Sequence, residues 1–165
     1  MSDVYVECLI QAKASPLGKF FKFILIAVAV VLGIMSVGGI LVAVLGAVAA
    51  GVGAYFVHLN TDIEYEYLYL DKELSVDKVM AKSKRKRVGT YTIEKMEAFA
   101  PIKSYHLDNY KNRTVKEVDY SIGEELMPDK RYALYYEGGV KVILSPSEEL
   151  VKAMKSVAPR KVFTD

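Results

Sequence analysis

The sequence predicts an α-helical membrane hairpin followed by an α+β domain built mainly from antiparallel strands. Three observations support this fold class. No Asp, Glu, Lys or Arg occurs between Lys22 and Asp62, a gap of 39 residues in a chain of 165. After the gap, short segments alternate apolar and polar side chains, as half-buried strands do. The chain then ends in a segment with helical spacing and a helix-start signal.

The first element is the apolar stretch 23–57, whose side chains include only one serine and one tyrosine hydroxyl. As a single helix its 35 residues would span about 52 Å, whereas a bilayer core is about 30 Å thick. Residues 36–39 are the most turn-like part of the stretch. We therefore predict two transmembrane helices within 18–59, with a break near 36–39. The alternative is one long tilted helix with the following domain outside the cell.

The charges beside the spans predict the orientation. Lys13, Lys19 and Lys22 precede the first span, and the connecting turn has no charge. The positive-inside rule then places both the N-terminal segment 1–17 and the domain 60–165 in the cytoplasm. We expect a two-span protein of the cell inner (cytoplasmic) membrane.

Small residues recur at every fourth position of the second span: Gly39, Ala43, Ala47 and Gly51. Such a stripe lets another helix approach closely. The stripe packs either against the first span of the same chain, through Ala29 and Gly33, or against a second copy of the chain in a homodimer. No residue that is charged at neutral pH lies between Lys22 and Asp62, so we interpret the hairpin as an anchor and not as a transporter.

The next elements are about seven short strands, predicted at 63–70, 74–80, 85–93, 97–102, 116–121, 131–136 and 140–144. In the first of them Tyr65, Tyr67 and Tyr69 alternate with other side chains. A ladder of this kind favours the core face of a sheet over a ligand platform. Segment 4–10 either adds a further strand or lies on the membrane.

The last element is a helix predicted over 146–158. Ser145 is the expected N-cap, Pro146 the first helical residue, and Glu148 the second half of a capping box. Apolar residues at helical spacing give the helix one buried face. Such a helix closes one open end of a curved, partly open antiparallel sheet.

The candidate binding residues are five basic side chains in one turn: Lys82, Lys84, Arg85, Lys86 and Arg87. Near an anionic leaflet each contributes about 1 kcal/mol to lipid binding. A protein partner is a second reading, and RNA or DNA is the least favoured. The remaining reading is a solvated turn whose alternate residues pair with Glu64, Glu66 or Asp77.

Catalysis and metal binding are not predicted. His106 has Ser104 and Asp108 nearby in sequence, but no nucleophile-elbow motif is present. Cys8 is the only cysteine and there are two histidines, too few for a structural zinc site. The net charge of +2 gives no broad attraction to nucleic acid. We expect no catalytic residue, no metal and no cofactor.

Several short motifs resemble an uncharacterised family of small bacterial membrane proteins: Val6–Leu9, Tyr65–Tyr67, Lys82–Arg87 and Ala158–Phe163. The order of the strands and terminal helix resembles the pleckstrin-homology-like (PH-like) superfold. The resemblance implies a PH-like partly open barrel with a C-terminal capping helix, and it implies no activity.

Together these features predict a non-catalytic, membrane-anchored adaptor or scaffold module. It would bind anionic lipid headgroups or a protein partner at the cytoplasmic face. The alternative is an accessory subunit of a larger membrane complex that packs through the hairpin. Expected partners are membrane lipids and either a membrane protein or a second copy of the chain; nucleic acid is not expected.

Overall fold

The computed structural model describes residues 5–12, 16–123 and 130–165. These residues form two compact units. The hairpin unit contains 16–63 and 80–84, and the β unit contains the other described residues. The sequence-based division at residue 60 did not anticipate that 80–84 would group with the helices.

The elements in chain order are β1 (Val6–Gln11), α1 (Pro16–Val37), α2 (Val42–Thr61), β2 (Ile63–Leu70), β3 (Glu73–Met80), β4 (Lys84–Thr92), β5 (Met96–Pro101), β6 (Lys116–Asp119), β7 (Tyr132–Tyr136), β8 (Val140–Leu144) and α3 (Glu148–Val157). Two 3₁₀ helices, Ile93–Lys95 and Tyr105–Tyr110, lie in the connections. The predicted fold class, an apolar hairpin followed by mainly antiparallel sheets and a C-terminal helix, is confirmed.

Helices α1 and α2 are an antiparallel pair. A Cβ built on Gly46 lies 2.9 Å from Leu32 Cδ1, and one built on Gly53 lies 3.6 Å from Leu25 Cδ1. Residue numbers therefore rise along α2 as those of the facing residues fall along α1, so the two helices are antiparallel. Gly39, with a φ of 97°, helps to reverse the chain because glycine adopts positive φ without a steric cost. With 22 and 20 residues, both helices are long and apolar enough to cross a membrane.

The first sheet of the β unit has the strand order β1-β2-β3-β4. Strand β1 pairs antiparallel with β2, which resolves the open choice for the N-terminal segment; Val4 lies outside the described residues. Asp71 and Lys72 connect β2 to β3 with φ of 49° and 65°. Positive φ at both central residues is typical of a type I′ turn, whose twist matches the strands.

The second sheet has the order β5-β7-β8-β6. Strands β5, β7 and β8 are antiparallel neighbours, whereas β6 runs parallel to β8. The parallel strand was not predicted as such, because the alternation in 116–121 reveals a strand but not its direction. The connection between the predicted strands 116–121 and 131–136 includes residues 124–129, which lie outside the described residues.

The core of the β unit is formed by the inner faces of both sheets and by one face of α3. Tyr67 and Tyr69 are 0% and 1% exposed. Leu150 and Met154 of α3 are fully buried against the same cluster. The structure therefore confirms that the tyrosine ladder belongs to the core.

Tyr67 of β2 also bonds to two connecting segments through its hydroxyl group. The hydroxyl donates to the carbonyl of Tyr120 at 2.6 Å and accepts from the amide of Ser145 at 3.1 Å. Both backbone groups come from connecting segments, so the side chain satisfies polar groups that no strand partner reaches. Tyr69 differs, since its buried hydroxyl has no hydrogen-bond partner among the described residues.

Helix α3 begins two residues later than predicted. Its N-cap is Ser147, whose Oγ accepts a hydrogen bond from the amide of Leu150 at 3.2 Å. The predicted cap at Ser145 is wrong because that residue has another role. Ser145 is only 4% exposed, and its Oγ accepts from the amide of Ile122 at 3.2 Å.

The C-terminal tail lies along the outer edge of β5. The Phe99 amide donates to the Lys161 carbonyl at 2.7 Å, and the Phe163 amide donates to the Phe99 carbonyl at 2.8 Å. Val162 lies between them and is 1% exposed. The tail therefore covers backbone groups that an edge strand would otherwise expose.

Candidate functional site

The basic segment 82–87 contains residues with two different environments. Arg85 Nη2 lies 3.1 Å from Glu66 Oε1, and Arg87 Nε lies 2.9 Å from Asp77 Oδ1. Because side chains alternate along a strand, Lys84 and Lys86 point to the opposite face of β4 from the arginines. The two arginines thus behave as expected for a solvated turn, since they pair with Glu66 and Asp77, two of the three acids considered.

The three lysines of the segment are exposed. Within the described part of the chain, Lys82, Lys84 and Lys86 form no hydrogen bond or ion pair. An unpaired ammonium group retains its full charge for an external anion, whereas each arginine is already partly neutralised. The lysines are therefore the part of the segment that is available to bind an anion.

A type I′ turn fixes the position of Lys82. Ala81 and Lys82 have φ of 47° and 56°, and the amide of Ser83 donates to the Met80 carbonyl at 3.1 Å. The amide of Ala81 donates to the Asp62 carbonyl at 2.7 Å. Since Asp62 directly follows α2, this bond joins the turn to the end of the helix.

Two more lysines lie at the same end of the hairpin unit. Lys19 and Lys22 occupy the first two turns of α1, and Lys22 Nζ lies 3.2 Å from His58 Nδ1 near the end of α2. We call Lys19, Lys22, Lys82 and Lys84 the basic end of the hairpin unit. Lys13, which the orientation argument also used, lies outside the described residues.

The predicted small-residue stripe of α2 is divided between environments. Ala43 is 7% exposed, Ala47 is half-buried, and Gly39 and Gly51 are exposed. A Cβ built on Gly51 meets no atom of the described residues within 4 Å. The same holds for Gly33, which was the expected counterpart on α1.

A Cβ built on Gly18 of α1 lies 2.6 Å from Thr61 Oγ1 of α2. The helices also approach closely at Gly46 and Gly53, which the sequence-based reasoning missed. A Cβ built on either would contact a leucine of α1. The signal for this face was present in the sequence, because two glycines seven residues apart lie on the same side of a helix. Gly51 lies outside that spacing.

His106 has a structural role. Its ring lies between Tyr105 and Phe163, with centroid distances of 3.9 and 3.8 Å. Ser104 caps the short helix by accepting from the amide of His106, and Asp108 pairs with Lys111 at 2.6 Å. The nearby serine and aspartate are thus engaged elsewhere and do not form a catalytic triad with His106.

Two acids of the β unit have shifted pKa values. Burial raises the pKa of Glu66, and the neighbouring Glu7 carboxyl group raises it further. The hydroxyl of Tyr5, 2.7 Å from Glu7 Oε2, lowers the pKa of Glu7. Among the described residues, no group of three His, Cys, Asp or Glu side chains has the arrangement of a metal site.

These features define a class of protein, a PH-like module that carries its own pair of apolar helices. The chain belongs to the family described as Bacterial PH-like domain (DUF6106), whose model matches residues 2–164. The predicted resemblance to an uncharacterised bacterial family with a PH-like domain is therefore confirmed. No curated protein and no solved structure shows significant similarity to the chain.

Proposed function

We propose that the protein is a non-catalytic, membrane-anchored adaptor whose basic end binds anionic lipid headgroups at the cytoplasmic face of the inner membrane. The observation that carries this proposal is the place of Lys82 and Lys84. Both are exposed, neither has an acidic partner within the described residues, and both belong to the unit that contains the two apolar helices.

The geometry of that unit supports lipid over a soluble anion. A membrane-spanning pair places its polar end at the level of the headgroups. Lys19 and Lys22 lie in the first turns of α1, and Lys82 is joined to the end of α2 through the bond between Ala81 and Asp62. Lysine ammonium groups near an anionic leaflet each contribute about 1 kcal/mol.

The test is lipid selectivity of the full chain, measured by native mass spectrometry of the detergent-purified protein. The protein receives equal amounts of phosphatidylglycerol and phosphatidylcholine, and the retained adducts are counted. We expect the wild type to retain mostly phosphatidylglycerol. The variant Lys82→Gln/Lys84→Gln should lose about 2 kcal/mol of preference, a change of roughly 30-fold.

The matched control is Lys152→Gln/Lys155→Gln, which removes two exposed lysines of α3 in the other unit. Its lipid preference should equal that of the wild type. Equal retention of the two lipids by the wild type would contradict the proposal. So would an equal loss of preference in both double variants, since the effect would then follow from net charge alone.

The alternative, an accessory subunit of a larger complex, makes a different prediction. Gly51 is exposed on α2, and a Cβ there meets no atom, which leaves room for a helix of another protein. Extraction in mild detergent followed by sizing separates the two functions. A stable complex with other membrane proteins favours the subunit, and a monomer or homodimer favours the adaptor.

A further inference from the structure

The outer face of the first sheet is rich in acidic residues. Its acidic side chains come from three neighbouring strands: Glu7 from β1, Glu64 and Glu66 from β2, and Glu73 and Asp77 from β3. The basic side chains on this face are Arg85 and Arg87 of β4. We call these five acids the acidic face.

Glu66 is the unusual member of the acidic face because it is buried. Only 2% of the residue is exposed, although it lies on the side of the sheet away from the core. Its Oε1 pairs with Arg85, and its Oε2 has no hydrogen-bond partner among the described residues. A buried carboxylate oxygen without a donor is costly.

Strand register brings a second carboxylate to the same place. Leu9 pairs with Glu66, and Glu7 pairs with Leu68. Glu7 is therefore the diagonal neighbour of Glu66 and lies within hydrogen-bond reach of it. The two carboxylates share one arginine, Arg85, so the site lacks one positive charge.

Exposed apolar side chains lie on the same face of the sheet. Tyr5, Leu9 and Leu70 are 57%, 56% and 44% exposed. Next to them is a cleft of about 420 Å³, lined by Tyr5, Leu68, Leu70, Glu73 and Arg87 among others. Its shape suits an apolar side chain presented beside a cation.

We infer that the acidic face docks a basic, partly apolar segment of a protein partner. A lysine or arginine of the partner would bond to Glu66 Oε2 and Glu7, and a neighbouring apolar side chain would enter the cleft. Arg85 stays paired with Glu66 Oε1, because breaking an ion pair to a buried carboxylate is costly. Since 64% of the Arg85 side chain is exposed, the partner's cation approaches Oε2 beside it. Charge complementarity selects a cationic partner and excludes nucleic acid and anionic lipid.

This surface belongs to the β unit, whereas the basic end belongs to the hairpin unit and has the opposite charge. The test therefore uses the full chain in nanodiscs of phosphatidylcholine only. The probe is a fluorescent peptide of repeated Lys-Ser-Leu-Ser, which in an extended conformation places lysine and leucine on one face. Binding is followed by fluorescence anisotropy at neutral pH.

We expect the wild type to bind this peptide and to ignore the matching Glu-Ser-Leu-Ser peptide. Glu66→Gln should weaken binding at least tenfold, since it removes the charge but keeps the shape. Glu149→Gln, an exposed acid at the start of α3, should leave binding unchanged. Near-UV circular dichroism shows whether each variant has the native fold.

Three results would overturn the inference. One is unchanged binding in a folded Glu66→Gln variant, and another is an equal loss in Glu149→Gln, which would indicate attraction to net charge. The third is that the peptide does not bind the wild type and that the Glu66→Gln variant is more stable than the wild type. That outcome would show that Glu7 and Glu66 are balanced by a shared proton alone.

Discussion

Replacing Tyr67 with phenylalanine tests whether the core of the β unit depends on one hydroxyl group. This hydroxyl makes two hydrogen bonds, at 2.6 Å to the Tyr120 carbonyl and at 3.1 Å to the Ser145 amide. The residue is 0% exposed, so water does not replace the lost partner. At about 1 kcal/mol for each bond, plus a cost for the orphaned amide, we expect a loss of about 2 to 3 kcal/mol.

Tyr69 provides a matched control in the same strand and on the same face. It is 1% exposed, and its hydroxyl has no hydrogen-bond partner within the described residues. Tyr69→Phe removes an unsatisfied polar atom from the core, so stability should stay the same or rise by up to about 1 kcal/mol. The same chemical change thus has opposite expected effects two residues apart.

The assay is thermal unfolding of the full chain in non-ionic detergent, followed by the near-UV circular dichroism of the tyrosines. This signal reports tertiary packing, whereas far-UV signal from the apolar helices persists. For a unit of this size a loss of 2 kcal/mol lowers Tm by roughly 10 °C. If both variants lose the same stability, shape and not hydrogen bonding explains the role of Tyr67.

Two further predictions concern the charges and the helix contact. The folded protein should gain stability as the pH falls from neutral toward the ordinary pKa of a glutamate, because the pKa of Glu66 is raised by burial and by Glu7. A group with a raised folded-state pKa stabilises fully below its ordinary pKa, and this stability is lost as pH rises through the raised value. Glu66→Gln should remove the gain, and an unchanged profile by chemical denaturation would contradict this assignment. In the hairpin, Gly46→Ile should separate the helices because even a Cβ at this position lies 2.9 Å from Leu32 Cδ1, whereas Gly51→Ile should not separate them. The distance between spin labels on α1 and α2 measures the effect of each variant. Equal effects of the two variants would refute the described packing.

Much of the fold was accessible from the sequence because it depends on local patterns. The uncharged gap and the bilayer thickness together require two helices, and the turn-like residues 36–39 locate the break. Alternation in 63–70 and 140–144 indicates strands for the same local reason. Ser145 and Ser147 show the limit of local patterns, since either residue fits an N-cap. Only the tertiary hydrogen bond from the Ile122 amide to Ser145 Oγ decides between them.

The candidate sites were less accessible because they depend on which strands are neighbours. The run of basic residues at 82–87 is visible, and alternation separates Lys84 from Arg85. That the arginines meet Glu66 and Asp77 was only one of several readings until strand order was known. That Glu7 is the diagonal neighbour of Glu66 follows only from the register of β1, which lies before the hairpin in sequence.

The C-terminal tail bears on the order of events during synthesis. Val162 is part of the core, and its neighbours bond to Phe99. A ribosome makes the chain from its N-terminus, so both apolar helices are complete before the residues that finish the β unit exist. The two apolar helices can therefore pack together while the second sheet still lacks its edge cover, and folding of the β unit ends only after residues 161–163 have left the ribosome.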